Sequence, residues 1–205
     1  DGNTNYIYVA IRRGSLFPPE SATDVFAAAY QNAVGTEPGW TSGFPVDMVI
    51  DSNIGGGSTD NRTISSRITQ GRYLALDQMH QEYAYRLGYA MDYMDGWRAS
   101  ANNGPSDMSW MWKRAPGYFD AVTYSGNSVS GHTISHNLGV APEMIWVKSR
   151  GGTYSSSTDW KAYVEPLGNT VSLSFGGDYV PQTSASWWNN TSPTATNFTV
   201  GNGYQ

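Results

Sequence analysis

Hydrophobic and polar positions alternate from Tyr6 to Arg12, with Ile7, Val9 and Ile11 on one side of the pattern and Tyr6, Tyr8 and Ala10 on the other. A two-residue period is that of a β-strand, whose successive side chains leave opposite faces. MSWMWK at 108–113 repeats the pattern and places Met108, Trp110 and Trp112 on one face. EMIWVK at 143–148 is a nearly continuous apolar run between Pro142 and the polar loop SRGGTYSSS, which predicts a strand buried on both faces. ATDVFAAAYQNA at 22–33 has a helical composition, and HQEYAYRLGYAMDYM at 80–94 is the best helix candidate despite Gly88 inside it. Elsewhere, many short strands are separated by clusters of Gly, Asn, Ser and Pro, the pattern of an antiparallel all-β protein.

The apolar segments also recur. GFPVDMVIDSN at 43–53 corresponds to GVAPEMIWVKSR at 139–150, with Gly43 and Gly139, Asp47 and Glu143, and Met48 and Met144 each 96 positions apart. DVFAAAYQN at 24–32 aligns with YFDAVTYSG at 118–126, Ala28 with Val122 and Tyr30 with Tyr124, at a separation of 94. QGRYLAL at 70–76 aligns with LGNTVSL at 167–173, and NYIYVAIRR at 5–13 with DMSWMWKR at 107–114, at separations of 97 and 101. Four aligned pairs of segments indicate a duplicated architecture. Because YFDAVTYSG is rich in β-formers, the repeat overrules the helical propensity of its partner.

The predicted fold is therefore all-β, built from tandem antiparallel β-sandwich-like repeats of about 95–100 residues, near the length typical of that architecture. Residues 1–14 are read as the terminal strand of a preceding repeat, in preference to a permuted closure of the second, and 15–22, with two prolines, as a linker. Residues 23–115 form the first repeat and 116–205 the second, which lacks its last strand. This division expects the polypeptide to continue with further repeats.

Composition narrows the function. Of 205 residues only 14% are charged, against roughly 25% in an average soluble domain, so Ser, Thr, Asn, Gln and Gly must dress most of the surface. That suits a particle surface or an extracellular module. The net charge is -5, and the longest basic runs are the pairs Arg12–Arg13 and Lys113–Arg114, so nucleic acid has no electrostatic footprint to recognise. Cysteine is absent, which excludes disulfides and thiolate metal sites. No apolar run reaches the ~18–20 residues of a membrane-spanning helix, so membrane insertion is not expected.

Candidate chemistry is sparse. His132 and His136 have metal-ligand spacing only on a helix, and their Gly and Asn flanks favour a strand or turn. DGNTN at 1–5 and DSNIG at 51–55 begin like calcium loops but lack the later acidic ligand, and are read as turns. Asp92 and Asp95 are neighbours, while Asp47 and Glu143 occupy equivalent places in the two repeats, which favours a structural role over the paired carboxylates of a glycosidase. No nucleophile elbow, zinc-protease or phosphate-loop motif occurs. The expectation is a non-enzyme with no catalytic residues, cofactor or metal. The adjacent Trp187 and Trp188 would place one ring outward on a strand, and with Tyr154 in the RGGTYSSSTD loop they are the candidates for glycan or subunit contact. The competing reading is that such aromatics fill the core or are covered by another subunit.

The segments YIYVAIRR, MSWMWKRAPGYFDAVTYSGN, GHTISHNLGVAPEMIWVKSR and WWNNTSPTATNFTVG resemble the repeated module of large virion structural proteins from tailed bacteriophages, notably cyanophages and other marine phages, of the tail-fibre or tail-protein type. The resemblance covers nearly the whole chain. It implies a structural component of a virion tail or fibre that contributes to host adhesion, with other virion proteins and a host-surface glycan as partners and no catalytic residues. Self-association as a homotrimer or higher assembly is expected, because exposed strand edges need covering. The alternative is a carbohydrate-binding module or lectin-like sandwich, with a polysaccharide depolymerase third.

Overall fold

The structure is a computed structural model and describes residues 18–33, 35–54, 62–69, 71–83, 89–99, 106–151, 159–175 and 180–203. Thirteen strands are found among these residues, paired antiparallel in four sheets, with one four-residue α-helix. The first large sheet has the order β1 (Phe26–Tyr30), β7 (Asp107–Trp112), β3 (Met48–Asn53), β4 (Thr63–Ser66) and β5 (Tyr73–Ala75). The second runs β12 (Gln182–Thr183), β11 (Val171–Ser174), β10 (Lys161–Val164) and β9 (Met144–Val147). Two small sheets pair β2 (Trp40–Thr41) with β6 (Gly96–Trp97), and β8 (His132–Ser135) with β13 (Asn197–Val200).

Tandem repetition is visible in the strand registers. Trp40 stands opposite Trp97 in one small sheet and Ile134 opposite Phe198 in the other. In the large sheets Met48 faces Ser66 and Val49 faces Ser65, just as Met144 faces Val164 and Ile145 faces Tyr163. A 3-10 turn follows β4 at Arg67–Thr69 and another follows β10 at Glu165–Leu167. Even single bonds recur: the Arg67 N–H donates to the Asp47 carbonyl at 2.8 Å, and the Glu165 N–H to the Glu143 carbonyl at 2.8 Å.

Each repeat is a sandwich of one large and one small sheet around its own core. Trp40, Val46, Val49, Trp97 and Met111 centre the first core, and Ile134, Ile145, Tyr163, Trp188 and Phe198 the second. A third cluster lies between the repeats, where Met48, Ile50, Ile64 and Leu74 of the first large sheet meet Trp160, with Phe119 and Phe175 packed beside it. The Trp160 indole N–H donates to the Ala75 carbonyl at 2.8 Å, satisfying a polar group that burial would otherwise leave without a partner. Arg150 forks onto Glu82 through two bonds of 2.8 and 3.0 Å, a geometry that adds direction to charge.

Local sequence explains where strands begin. Ser21 and Asp24 form a reciprocal capping box around the 3-10 turn Ala22–Asp24, which spends the helical signal of ATD in a single turn. The alanines that follow are extended because they pair with β7, Ala27 with Met111 and Ala29 with Ser109. Tertiary pairing here outweighs a propensity of well under 1 kcal/mol per residue.

Three expectations are corrected. In the described parts of 80–94 there is no helix: Tyr83 bridges to Tyr73 and Ala90 to Arg98 in antiparallel fashion, and the tyrosine rings stack at 5.0 Å. Asp51, Ser52 and Asn53 are the end of β3 and not a turn, and the Asp51 carboxylate accepts hydrogen bonds from the Thr63 and Tyr89 hydroxyls. Within EMIWVK only Ile145 and Val147 are buried, while Met144 and Trp146 are 53% and 36% exposed. The strands read over Tyr6–Arg13 lie outside the described residues.

Candidate functional site

Trp187 and Trp188 sit on a short helix, α1 (Ala185–Trp188), and not on a strand. The Ser184 hydroxyl caps its start by accepting the Ser186 N–H at 3.1 Å, and Asn189 ends it in the left-handed region at φ 51°. Helical neighbours diverge by about 100° where strand neighbours diverge by 180°. Both rings can therefore be held by the protein. Trp188 is 2% exposed, donates its indole N–H to the Val171 carbonyl at 3.1 Å and meets Tyr163 edge-on at 5.9 Å. As a core residue it offers no ring face to a ligand.

Trp187 is half-buried and already engaged. The Lys161 ammonium lies 4.7 Å from its ring centroid, a cation–π contact. A Cβ on Gly203 would stand 2.6 Å from its ring, so only glycine lets the chain pass there. Lys161 is 3% exposed and donates to the Ser174 hydroxyl. Burial pushes its pKa below the ordinary lysine value, and the Asp159 carboxylate partly offsets this. The arrangement places a buried ammonium, disfavoured by burial and partly compensated by Asp159, against the Trp187 indole of α1. Tyr154 lies outside the described residues.

The remaining candidates have structural partners. His132 lies on β8 beside the Tyr124 ring, while the His136 ring bonds the Thr194 carbonyl and accepts the Leu138 N–H. Asp47 accepts the Arg114 backbone N–H at 2.8 Å and the Arg67 guanidinium at 3.2 Å, tying three segments of the first repeat together. Among the described residues no three His, Asp or Glu side chains gather as a metal site, and no helix is long and apolar enough to cross a membrane.

Sequence reasoning missed the exposed apolar edge of the second repeat. Met144 and Trp146 project from the outward face of β9, with Phe175 edge-on to Trp146 at 5.0 Å. Their counterparts in the first repeat, Met48 and Ile50, are buried in the cluster between the repeats. The signal lay in the repeat alignment, which pairs EMIWVK with a segment whose neighbouring strand, β7, has no counterpart among the described residues of the second repeat.

A family model described as a domain of unknown function, DUF7483, matches residues 59–205. The chain belongs to the DUF7483 family. The DUF7483 region begins between β3 and β4 and takes in the whole second repeat, including α1 and the β9 edge. No curated protein and no solved structure matches the chain.

Proposed function

We propose that this protein is a non-enzymatic structural component of a phage virion, part of a tail fibre or another appendage, that contributes to adhesion at the host surface. The observation that carries this reading is the duplicated register, Trp40 opposite Trp97 and Ile134 opposite Phe198, joined through a shared hydrophobic cluster. Repeats that pack on one another through such clusters give a cysteine-free chain stiffness without disulfides. The sequence resemblance to a repeated virion module and the low charge support the same reading, as do the polar loops available for contact. Its partners are further copies of itself, in a homotrimer or higher assembly, other virion proteins and a host-surface glycan. Mass spectrometry of purified particles tests it: the polypeptide is expected at stoichiometric abundance, and its absence from the particles rejects the proposal.

A carbohydrate-binding module is the second reading, favoured by Trp146, whose partly exposed ring stands edge-on to Phe175 on the open side of a sheet. A glycan array tests it: binding lost on Trp146→Ala with the fold intact supports this reading, and no binding by the parent chain removes it.

A further inference from the structure

The chain passes from one repeat to the other through a tight turn. The Ala115 N–H donates to the Phe119 carbonyl at 3.0 Å and the Phe119 N–H donates back at 3.1 Å, with Gly117 between them in the left-handed region at φ 73°. The Asp120 carboxylate, its side chain 6% exposed, joins this turn to both repeats. Arg114 Nε donates to it at 2.6 Å from the first, and the Asn137 backbone N–H at 2.8 Å from the second. A few residues at the end of an element are all that a hinge needs.

Beyond the turn, the hydrophobic cluster around Trp160 holds the repeats together. Burial of apolar surface is non-directional, so it favours contact without choosing an angle. Domains of one chain that meet through a modest interface move relative to each other by default. A second directional contact, far from the turn, is what would set the angle. In the first large sheet, β7, which leads into the turn, and β5 stand on opposite sides of β3 and β4. Tyr83 bridges to Tyr73 of β5, which puts Glu82 on the side of the sheet away from the turn.

We infer that Glu82 of the first repeat and Arg150 of the second form a latch that sets the angle between the two repeats. Besides the fork of 2.8 and 3.0 Å, the Glu82 backbone N–H donates to the Arg150 carbonyl at 2.8 Å. Three bonds between one pair of residues fix rotation as well as distance. Two positions along β9 and its extension, Lys148 Nζ donates to the Gln78 carbonyl at 2.9 Å, a further contact on the same side. The Glu82 side chain is 7% exposed. A rotation that broke the fork with the cluster still closed would strand its carboxylate where water has little access, which is strongly unfavourable. Arg72 stands 3.8 Å from Glu82 but belongs to the same repeat, so it steadies the carboxylate without holding the angle. Glu82 is therefore a positioning residue. A fixed angle stiffens a chain of repeats, as the structural role proposed above requires, and absence of the chain from virions would reject that role while leaving the latch in place.

The test measures a distance between the repeats in the full chain. Cysteine is absent, so spin labels can be placed specifically on Met94→Cys in the first repeat and Val129→Cys in the second, at side chains 77% and 58% exposed. Pulsed electron resonance should give one narrow distance peak for the labelled parent. Glu82→Ala and Arg150→Ala should each lose that narrow peak, with near-UV circular dichroism showing both cores kept, while Arg72→Ala should retain it. A broad distribution in the parent, or a peak that stays narrow in either Glu82→Ala or Arg150→Ala, overturns the latch. Equal broadening by Arg72→Ala overturns the assignment to Arg150. Should either alanine variant disturb a core, Arg150→Lys decides, since it keeps the charge and loses the fork. Broadening then supports the latch, and a width equal to the parent's overturns it.

Discussion

The indole rings of Trp40 and Trp97 stack 4.7 Å apart, 16° from parallel, across the β2–β6 pair. Both are fully buried, and the Trp97 N–H donates to the Ser109 hydroxyl at 2.9 Å, linking the small sheet to the large one. Trp97→Ala removes the ring, opens a cavity and leaves Ser109 without this donor. A loss of about 3–5 kcal/mol is expected, checked by urea denaturation followed by near-UV circular dichroism.

Gly96 explains why that pair can close. A Cβ there would stand 2.0 Å from the Trp40 carbonyl oxygen and 2.7 Å from Pro38, so backbone must move to admit one. Gly96→Ala is expected to destabilise by about 1–3 kcal/mol, as overpacking does. Asn197, the counterpart one position before Phe198, carries a side chain in its sheet, and Asn197→Ala should change stability by less than about 1 kcal/mol. Thermal melts of the two variants side by side check the contrast.

Trp160 couples the repeats. Trp160→Phe keeps most of the apolar contact but leaves the Ala75 carbonyl unpaired, and should lower stability by about 1–3 kcal/mol. Trp160→Ala should go further and separate the melting of the two cores. Calorimetry checks this: one cooperative transition is expected for the parent chain and two for Trp160→Ala. A single transition in both would place the coupling elsewhere.

Tyr124 gives a pH signature. Burial raises its hydroxyl from the ordinary 10.0 to about 12. Between those values the unfolded chain has lost the proton that the folded chain keeps, so this residue's contribution, complete below about pH 10, falls as pH rises through the window. Tyr124→Phe should therefore flatten the loss of stability between pH 10 and pH 12. Denaturation midpoints at a series of alkaline pH values check it, and an unchanged slope would contradict the burial of the phenol.

The all-β class and its tandem character were legible because a two-residue apolar period and a recurring segment both survive divergence. MSWMWK has the two faces its period gives: Ser109 and Met111 are buried and Met108, Trp110 and Trp112 half-buried. The alanine run at 27–29 reads as a strand only by reference to its repeat partner at 118–126, since composition alone favours a helix, yet that partner itself forms no strand. By contrast, Trp187 and Trp188 were misplaced because a four-residue helix framed by Ser184 and Asn189 is too short to leave a periodic signal. The exposure of Trp146 was hidden for another reason. An apolar run states which side chains avoid water, but which neighbour covers them depends on strands distant in the sequence.

Cryo-electron microscopy of intact virions from the source tests the central claim most directly. The account predicts continuous density for both sandwiches in a tail or fibre, with Trp40 and Trp97 stacked in one small sheet and Ile134 facing Phe198 in the other. Particles whose tails and fibres are fully traced without this chain would contradict it.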